Sequence, residues 1–215
     1  ETLHLPENKI MAIYNGFSNH FHPLDNIKSV TQKYISTTGY LFFLGNTDPK
    51  KNTPRTLKAY HLYLQYSQEK RPLLIADLKP EYVDDILKET GLEDIRPYLH
   101  LPGYIPNTDL PFLYNGAFAF LYTSLRESFG IPLLEAMACG TPVITSNTSS
   151  MPEVGGKEAI LVNPFDEKDI ASKILQLETD PQYYKREMAY GIEQVKKFSW
   201  ENTARELLKI YQSIY

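Results

Sequence analysis

The sequence predicts one doubly wound α/β domain built on a parallel sheet, and two features of the chain point there. Short apolar runs recur roughly every 20 to 35 residues, and the stretches between them carry the three-and-four spacing of helices with one buried face. Runs that stay apolar without polar alternation suit strands buried on both faces, which means a parallel sheet covered by helices on both sides.

Taken in order, the strands are expected at Ile10 to Tyr14, Tyr40 to Leu44, Leu73 to Ala76, Ala117 to Tyr122, Pro142 to Thr145 and Ala159 to Val162. The first clear helix has Thr53 as cap and Pro54 at its first position, where the missing N–H of proline costs nothing, with Leu57, Tyr60 and Leu64 along one face. Another spans Pro132 to Cys139 and stops before Gly140, which closes a helix easily in the left-handed conformation. Asp166 caps a helix whose inner stripe is Ile170, Ile174 and Leu177. Two more helices follow. The last is capped by Ser199, has Trp200 in its first turn and carries Ala204, Leu207, Leu208 and Tyr211 at helical spacing. Without repeats or an obvious linker, residues 1–215 read as one domain, with 1–35 as a leading strand and lead-in and 198–215 as the C-terminal helix.

Composition narrows the function. Of the 215 residues 42% are hydrophobic and 22% charged, enough apolar surface for a self-sufficient core and unlike a disordered chain. Twenty-two Lys and Arg against 26 Asp and Glu leave a net charge of −4, so no overall basic surface exists to draw nucleic acid, and any anion site must be local. Cys139 is the single cysteine, which excludes an intramolecular disulfide and fits a reducing compartment. The longest apolar stretch, Ala117 to Tyr122, falls far short of a membrane span, and Glu1 to Pro6 lack the blocks of a signal peptide. The expectation is a soluble, cytoplasmic domain. Its start at Glu1 in place of Met suggests a piece of a longer chain.

In such sheets ligands sit beyond the carboxyl ends of the strands, so the loops Gly45 to Thr53, Leu101 to Asp109 and Thr123 to Pro132 hold the candidates. The first gathers Lys50, Lys51 and Arg55 at a helix start. Cations there oppose the helix dipole, a penalty that a bound phosphate reverses, although side chains fanned into solvent fit equally. In the third, Gly130 permits close backbone approach, and the N–H groups near Gly130, Ile131 and Leu133 can receive phosphate oxygens. A carboxylate one turn deeper would repel phosphate, so Glu135 suits a ribose diol and Glu127 a sugar hydroxyl. Dipole stabilisation by Glu135 and a solvated Glu127 stand beside those readings.

The run from Leu101 to Pro164 resembles glycosyltransferase family 4. The likeness rests on Leu101-Pro102-Gly103-Tyr104-Ile105-Pro106 before Asp109-Leu110, on Ser124-Leu125-Arg126-Glu127-Ser128-Phe129-Gly130-Ile131-Pro132 running into Glu135-Ala136-Met137-Ala138-Cys139-Gly140-Thr141-Pro142-Val143, and on Pro152-Glu153-Val154-Gly155-Gly156. Gly45 with Lys51-Asn52 matches the family's first phosphate loop, and weaker similarity runs from Ile13-Tyr14-Asn15-Gly16 to Phe198-Ser199-Trp200.

The resemblance implies the C-terminal, Rossmann-like half of a GT-B enzyme, a retaining transferase that moves a hexosyl group from a nucleoside diphosphate sugar to a glycan or lipid-linked acceptor. The match looks most like mannosyltransferase-type members. Carried over, Lys51 would hold the diphosphate with Gly45, Gly130 and Ile131, Glu135 the ribose, and Glu127 with Phe129 and Gly130 the transferred sugar. Gly103, Tyr104 and Ile105 would border the base, with Tyr104 free to stack on it. Lys51 and Glu127 are the catalytic candidates. Asn46 departs from the arginine that many relatives have after the first glycine, which throws diphosphate binding onto Lys51 with Lys50 or Arg55 as helpers; Thr123 stands where proline is common.

The same resemblance implies that no metal or other cofactor is required, and no two aspartates stand one residue apart to hold one. It places the acceptor site in an N-terminal half absent from this chain, so the 215 residues should bind donor and transfer little sugar, and it leaves open whether the full-length protein sits at the inner face of a membrane. Two rivals stand: a GT-B nucleotide-sugar epimerase, which the glutamate pair disfavours, and a noncatalytic binding or assembly module. His20 and His22 lack a third ligand nearby, the glycines form neither a dinucleotide fingerprint nor a Walker loop, and Cys139 reads as a buried structural thiol.

Overall fold

The computed structural model describes Pro6 and residues 9–214; the rest of the Glu1 to Pro6 segment and Tyr215 lie outside the described residues. Six parallel strands form one sheet in the order β3-β2-β1-β4-β5-β6: β1 Tyr40–Leu44, β2 Leu73–Ala76, β3 Leu99–Gly103, β4 Ala117–Tyr122, β5 Val143–Ser146 and β6 Ile160–Val162. The order reverses between β1 and β4, which opens a crevice at their carboxyl ends.

Helices cover both faces. α2 (Thr53–Tyr66), α3 (Pro80–Thr90) and α7 (Glu167–Thr179) pack on the side of Leu41, Phe43, Ile75 and Leu121. α4 (Leu110–Gly116), α5 (Ile131–Ala138), α6 (Met151–Gly155) and α8 (Pro181–Val195) take the side of Phe42, Leu74, Phe120 and Tyr122. Strand side chains point alternately to the two faces, so near-continuous apolar runs are what a sheet covered twice requires. A short α1 (Lys28–Thr31) precedes the sheet and α9 (Trp200–Ile214) ends the described chain.

Five of the six expected strands form. Ile10 to Tyr14 does not; it stays outside the sheet with Ile10, Met11 and Tyr14 exposed, and the carbonyl of Tyr14 accepts a hydrogen bond from Thr203 Oγ1 on α9 at 2.6 Å. β3 takes its place as the sixth strand and overturns the reading of Leu101 to Gly103 as loop. His100 and Pro102 break its apolar run, which is tolerable because β3 lies at the sheet edge, where a proline forfeits no ladder bond to a second neighbour.

Helix starts shift by one residue. Asn52, in the left-handed conformation (φ 61°), precedes α2, and Gly130 (φ 104°) precedes α5. Asp166 caps α7 as expected, accepting from the Lys168 and Asp169 N–H groups. α9 departs from expectation in its packing: Trp200, Leu207, Leu208 and Tyr211 all lie on its exposed side.

Asn52 joins three loops at the sheet's carboxyl edge. Its buried amide donates to the Thr123 carbonyl after β4 at 3.0 Å and to the Pro164 carbonyl after β6 at 2.7 Å. Asn52→Ala strands both carbonyls in a site closed to water, and thermal unfolding should register a loss of about 2–3 kcal/mol, or roughly 5–10 °C in Tm.

Candidate functional site

The loops after β1 and β4 flank the point where strand order reverses, and they bring the central pair together. Lys51 ends a 3-10 turn (Pro49–Lys51) that Asp48 caps by accepting from the Lys50 N–H. Its Nζ donates to Glu127 Oε1 at 2.7 Å, with only 15% and 13% of the two side chains exposed. Glu127 is therefore not a solvated loop residue. Beneath the pair lies Tyr122, the last residue of β4, its ring centroid 5.4 Å from the Lys51 ammonium. The stacked cation gains from the ring's negative face.

Glu135 stands about one turn into α5, whose Leu133, Leu134, Ala136 and Met137 anchor it to the core. Burial pushes its carboxyl up to about 7, a rise that a 3.4 Å hydrogen bond from the Tyr114 hydroxyl partly offsets. Burial, then the charges of Glu127 and Glu135, hold the Tyr122 phenol protonated far above its ordinary value. Tyr122 thus underlies the Lys51–Glu127 pair and feels the charge of Glu135 as well. Sequence reading passed over Tyr122 as one of many core aromatics; its position as the last residue of a strand was the available signal.

A ladder of hydroxyls shapes the loop that carries Glu127. Thr145 Oγ1 donates to the Tyr122 carbonyl (3.1 Å), Ser146 Oγ to that of Ser124 (2.6 Å) and Thr148 Oγ1 to that of Leu125 (3.2 Å). Ser149 Oγ donates to the Glu127 carbonyl (2.7 Å) and accepts from the Glu127 N–H (3.2 Å), while Ser150 Oγ reaches the carbonyls of Glu127 (3.2 Å) and Phe129 (3.0 Å). Ser149 adopts φ 58° to do so. This run was also missed, although Thr145-Ser146-Asn147-Thr148-Ser149-Ser150 is visibly rich in hydroxyls. Thr123, where the family often has proline, uses its hydroxyl as well: it pairs with Thr56 Oγ1 at 2.6 Å inside the domain.

Other candidates sort differently. The Gly45 N–H donates to the Ala76 carbonyl at 3.1 Å, so it offers no donor to a phosphate; a Cβ there would come within 2.5 Å of Leu78 Cδ1, and close packing is what demands glycine. The Leu133 N–H is spent on the Gly130 carbonyl at 3.0 Å, so it offers no donor to a phosphate. Lys50 pairs with Asp48 (3.1 Å) and Arg55 with Glu167 (3.3 Å) over the Phe165 ring. Arg55 borders a separate hollow of about 340 Å³ with Asn52, Lys58, Tyr82 and Glu167, which excludes Lys51, Glu127 and Glu135. Asn46 turns inward, its Oδ1 accepting from the Asp48 N–H at 2.8 Å.

In the second of the three loops, Gly103 (φ 76°) closes β3 and its carbonyl accepts from the Asp77 N–H at 2.8 Å. The Ile105 side chain is buried, so only its backbone can meet a ligand, whereas the Tyr104 ring is 77% exposed. Among the described residues no group of three His, Cys, Asp or Glu is placed to hold a metal ion, and no helix is long and apolar enough to cross a membrane. Burial raises the Cys139 thiol to about 12, which makes it inert.

Comparison with known proteins agrees with this geometry. Residues 28–194 match the family described as "Glycosyl transferases group 1". O-antigen chain mannosyltransferase B of Escherichia coli is 37% identical over 185 residues, covering 85% of this chain and 48% of its own. Sucrose-phosphate synthase from Thermosynechococcus elongatus superposes with a TM-score of 0.79 at 25% identity over 94% of this chain and 52% of its own. Anabaena Alr3699/HepE, solved in complex with UDP and glucose, shares the fold with a TM-score of 0.80 at 18% identity over 94% of this chain and 56% of its own. The chain thus spans about half the length of these proteins.

Glu135 makes stability depend on pH. The folded carboxyl keeps its proton up to about 7 whereas the unfolded one loses it near its ordinary 4.5, so its contribution is full below that value and is lost as pH rises through about 7. In urea unfolding between pH 5 and 7, Glu135→Gln should flatten the decline seen in the parent by up to about 1 kcal/mol per pH unit.

Proposed function

The chain belongs to the group 1 glycosyl transferases, and on that premise we propose that it is the donor-binding half of a retaining, family 4 enzyme moving a hexosyl unit, mannosyl in the favoured reading, from a nucleoside diphosphate sugar to a glycan or lipid-linked acceptor. The observation that carries this is the Lys51–Glu127 pair at the reversal of strand order, with Glu135 one turn into the neighbouring helix.

In this reading the pair is the donor-free state of an exchange. A diphosphate entering the crevice takes the Lys51 ammonium, assisted by the Gly130 and Ile131 N–H groups at the start of α5. Glu127, released, accepts hydrogen bonds from hydroxyls of the transferred sugar, with Phe129 and Gly130 forming the wall beside it. Glu135 accepts from the ribose diol, and the base lies against the backbone of Gly103 and Ile105 with Tyr104 free to cover it.

As the glycosidic bond breaks, negative charge grows on the leaving phosphate while the sugar gains oxocarbenium character. Lys51 and the helix N-terminus stabilise the former, which is where fixed positive charge lowers the barrier most. The mannosyltransferase relative and the UDP and glucose named with the Anabaena structure support a sugar donor of this class. The acceptor side of the cleft lies, in this reading, outside these 215 residues, and the exposed apolar side of α9 is available to pack against it. The chain alone is expected to bind donor without appreciable transfer.

Calorimetric titration with UDP, GDP and ADP tests the proposal. At least one should bind, and Lys51→Ala should weaken that nucleotide about ten- to a hundredfold while the domain stays folded, the effect of losing one charge-assisted contact. Unchanged affinity removes Lys51 from the site, and no binding by any of the three favours an assembly module.

A further inference from the structure

Tyr14 belongs to the lead-in segment, outside the sheet, and it contacts both the loop that carries Glu127 and the helix that follows the hydroxyl ladder. Its ring packs against Phe129 (centroids 6.0 Å apart) and Phe198 (5.6 Å), and those two rings meet each other edge-on at 5.9 Å. Its hydroxyl donates to Glu153 Oε1 at 2.6 Å. Glu153 lies in α6, the helix that begins directly after Ser150, whose hydroxyl holds the carbonyls of Glu127 and Phe129. One side chain therefore reaches the loop by two routes, directly through Phe129 and indirectly through α6.

The backbone at Tyr14 is itself pinned. Its carbonyl accepts from Thr203 Oγ1 at 2.6 Å, and two residues on, Gly16 runs so close to α9 that a Cβ would come within 2.2 Å of the Trp200 nitrogen. Lead-in, start of α9 and sugar-side loop consequently form one rigid junction. Phe129 stands between Glu127 and the helix-starting Gly130, so displacing its ring displaces both the carboxylate and the N–H groups beside it.

We propose that Tyr14 is a positioning residue for the sugar-side loop, holding Glu127 to Gly130 in register with Lys51 through its packing on Phe129 and its bond to Glu153. The proposal deepens the donor-binding reading and rests on it for its functional consequence. Because Tyr14 acts on the loop that meets the sugar and not on Lys51, its loss should discriminate between a nucleotide and the same nucleotide carrying a hexose.

Two measurements on the parent, Tyr14→Phe and Tyr14→Ala decide it. In amide hydrogen exchange, Tyr14→Ala should speed exchange across Glu127 to Gly130 about fivefold while β4 is unaffected, and Tyr14→Phe, which keeps the ring, should restore most of the protection. In calorimetry, Tyr14→Ala should weaken GDP-mannose or UDP-glucose about fivefold and GDP or UDP alone to a clearly smaller extent, since the bare nucleotide keeps Lys51 and lacks only the contact to Glu127. Unaltered loop exchange, or equal loss for nucleotide and conjugate, overturns the proposal. Should no nucleotide bind the parent, the donor-binding reading falls and the exchange data alone decide whether the clamp exists. If Tyr14→Ala does not fold, Tyr14→Leu replaces it in both measurements.

Discussion

A loop that leaves a buried strand has to satisfy the carbonyls it takes out of water, and this molecule does so at Tyr122 and Ser124 with hydroxyls from the next crossover, which go on bonding the loop as it emerges at Arg126 and Ser128. Thr145, Ser146, Thr148, Ser149 and Ser150 bond in turn along the backbone from Tyr122 to Phe129. Unpaired, each buried carbonyl would cost about 1–3 kcal/mol. Paired, they give the loop a single shape, and that shape sets where Glu127 and the start of α5 stand. The left-handed backbone at Ser149 is the strain that accompanies this arrangement.

On that frame the electrostatics are local and opposed in sign. The chain as a whole is acidic, yet Lys51 is brought to the strand-order reversal and held between the Glu127 carboxylate and the Tyr122 ring. A pair this shielded from solvent is a poor source of stability, since desolvation of both charges offsets their attraction. It keeps a cation and an acid side by side at the strand-order reversal, both largely shielded from solvent. Glu135 supplies a second acid in a still less polar setting, close enough to half protonated at neutral pH for its hydrogen bonds to depend on conditions. The neighbouring cations Lys50 and Arg55 each sit against an acid of their own.

The lead-in and α9 meet at Tyr14, Gly16, Trp200 and Thr203, and through Tyr14 they bear on Phe129. Apolar residues left exposed on either side of that junction, Met11 in the lead-in and Leu208 and Tyr211 on α9, make it the least self-contained part of the surface.

By itself the sequence determined the parallel sheet and the identity of the acids and the amine. Runs such as Leu73 to Ala76 are apolar on both faces, a pattern that only a sheet covered twice can bury, and Lys51, Glu127 and Glu135 are set in motifs whose spacing stays readable along the chain. Local spacing misled at Ile10 to Tyr14 and at Leu99–Gly103, because whether a segment pairs depends on which sheet edge is vacant and not on its own residues. Only the tertiary structure decided that Lys51 meets Glu127, that Tyr122 underlies both, and that a run of hydroxyls holds the loop between them. Apart from Tyr122 and Glu127, which are near neighbours in the chain, those contacts join residues from about 20 to nearly 80 positions apart, distances over which neither helical nor strand periodicity carries information.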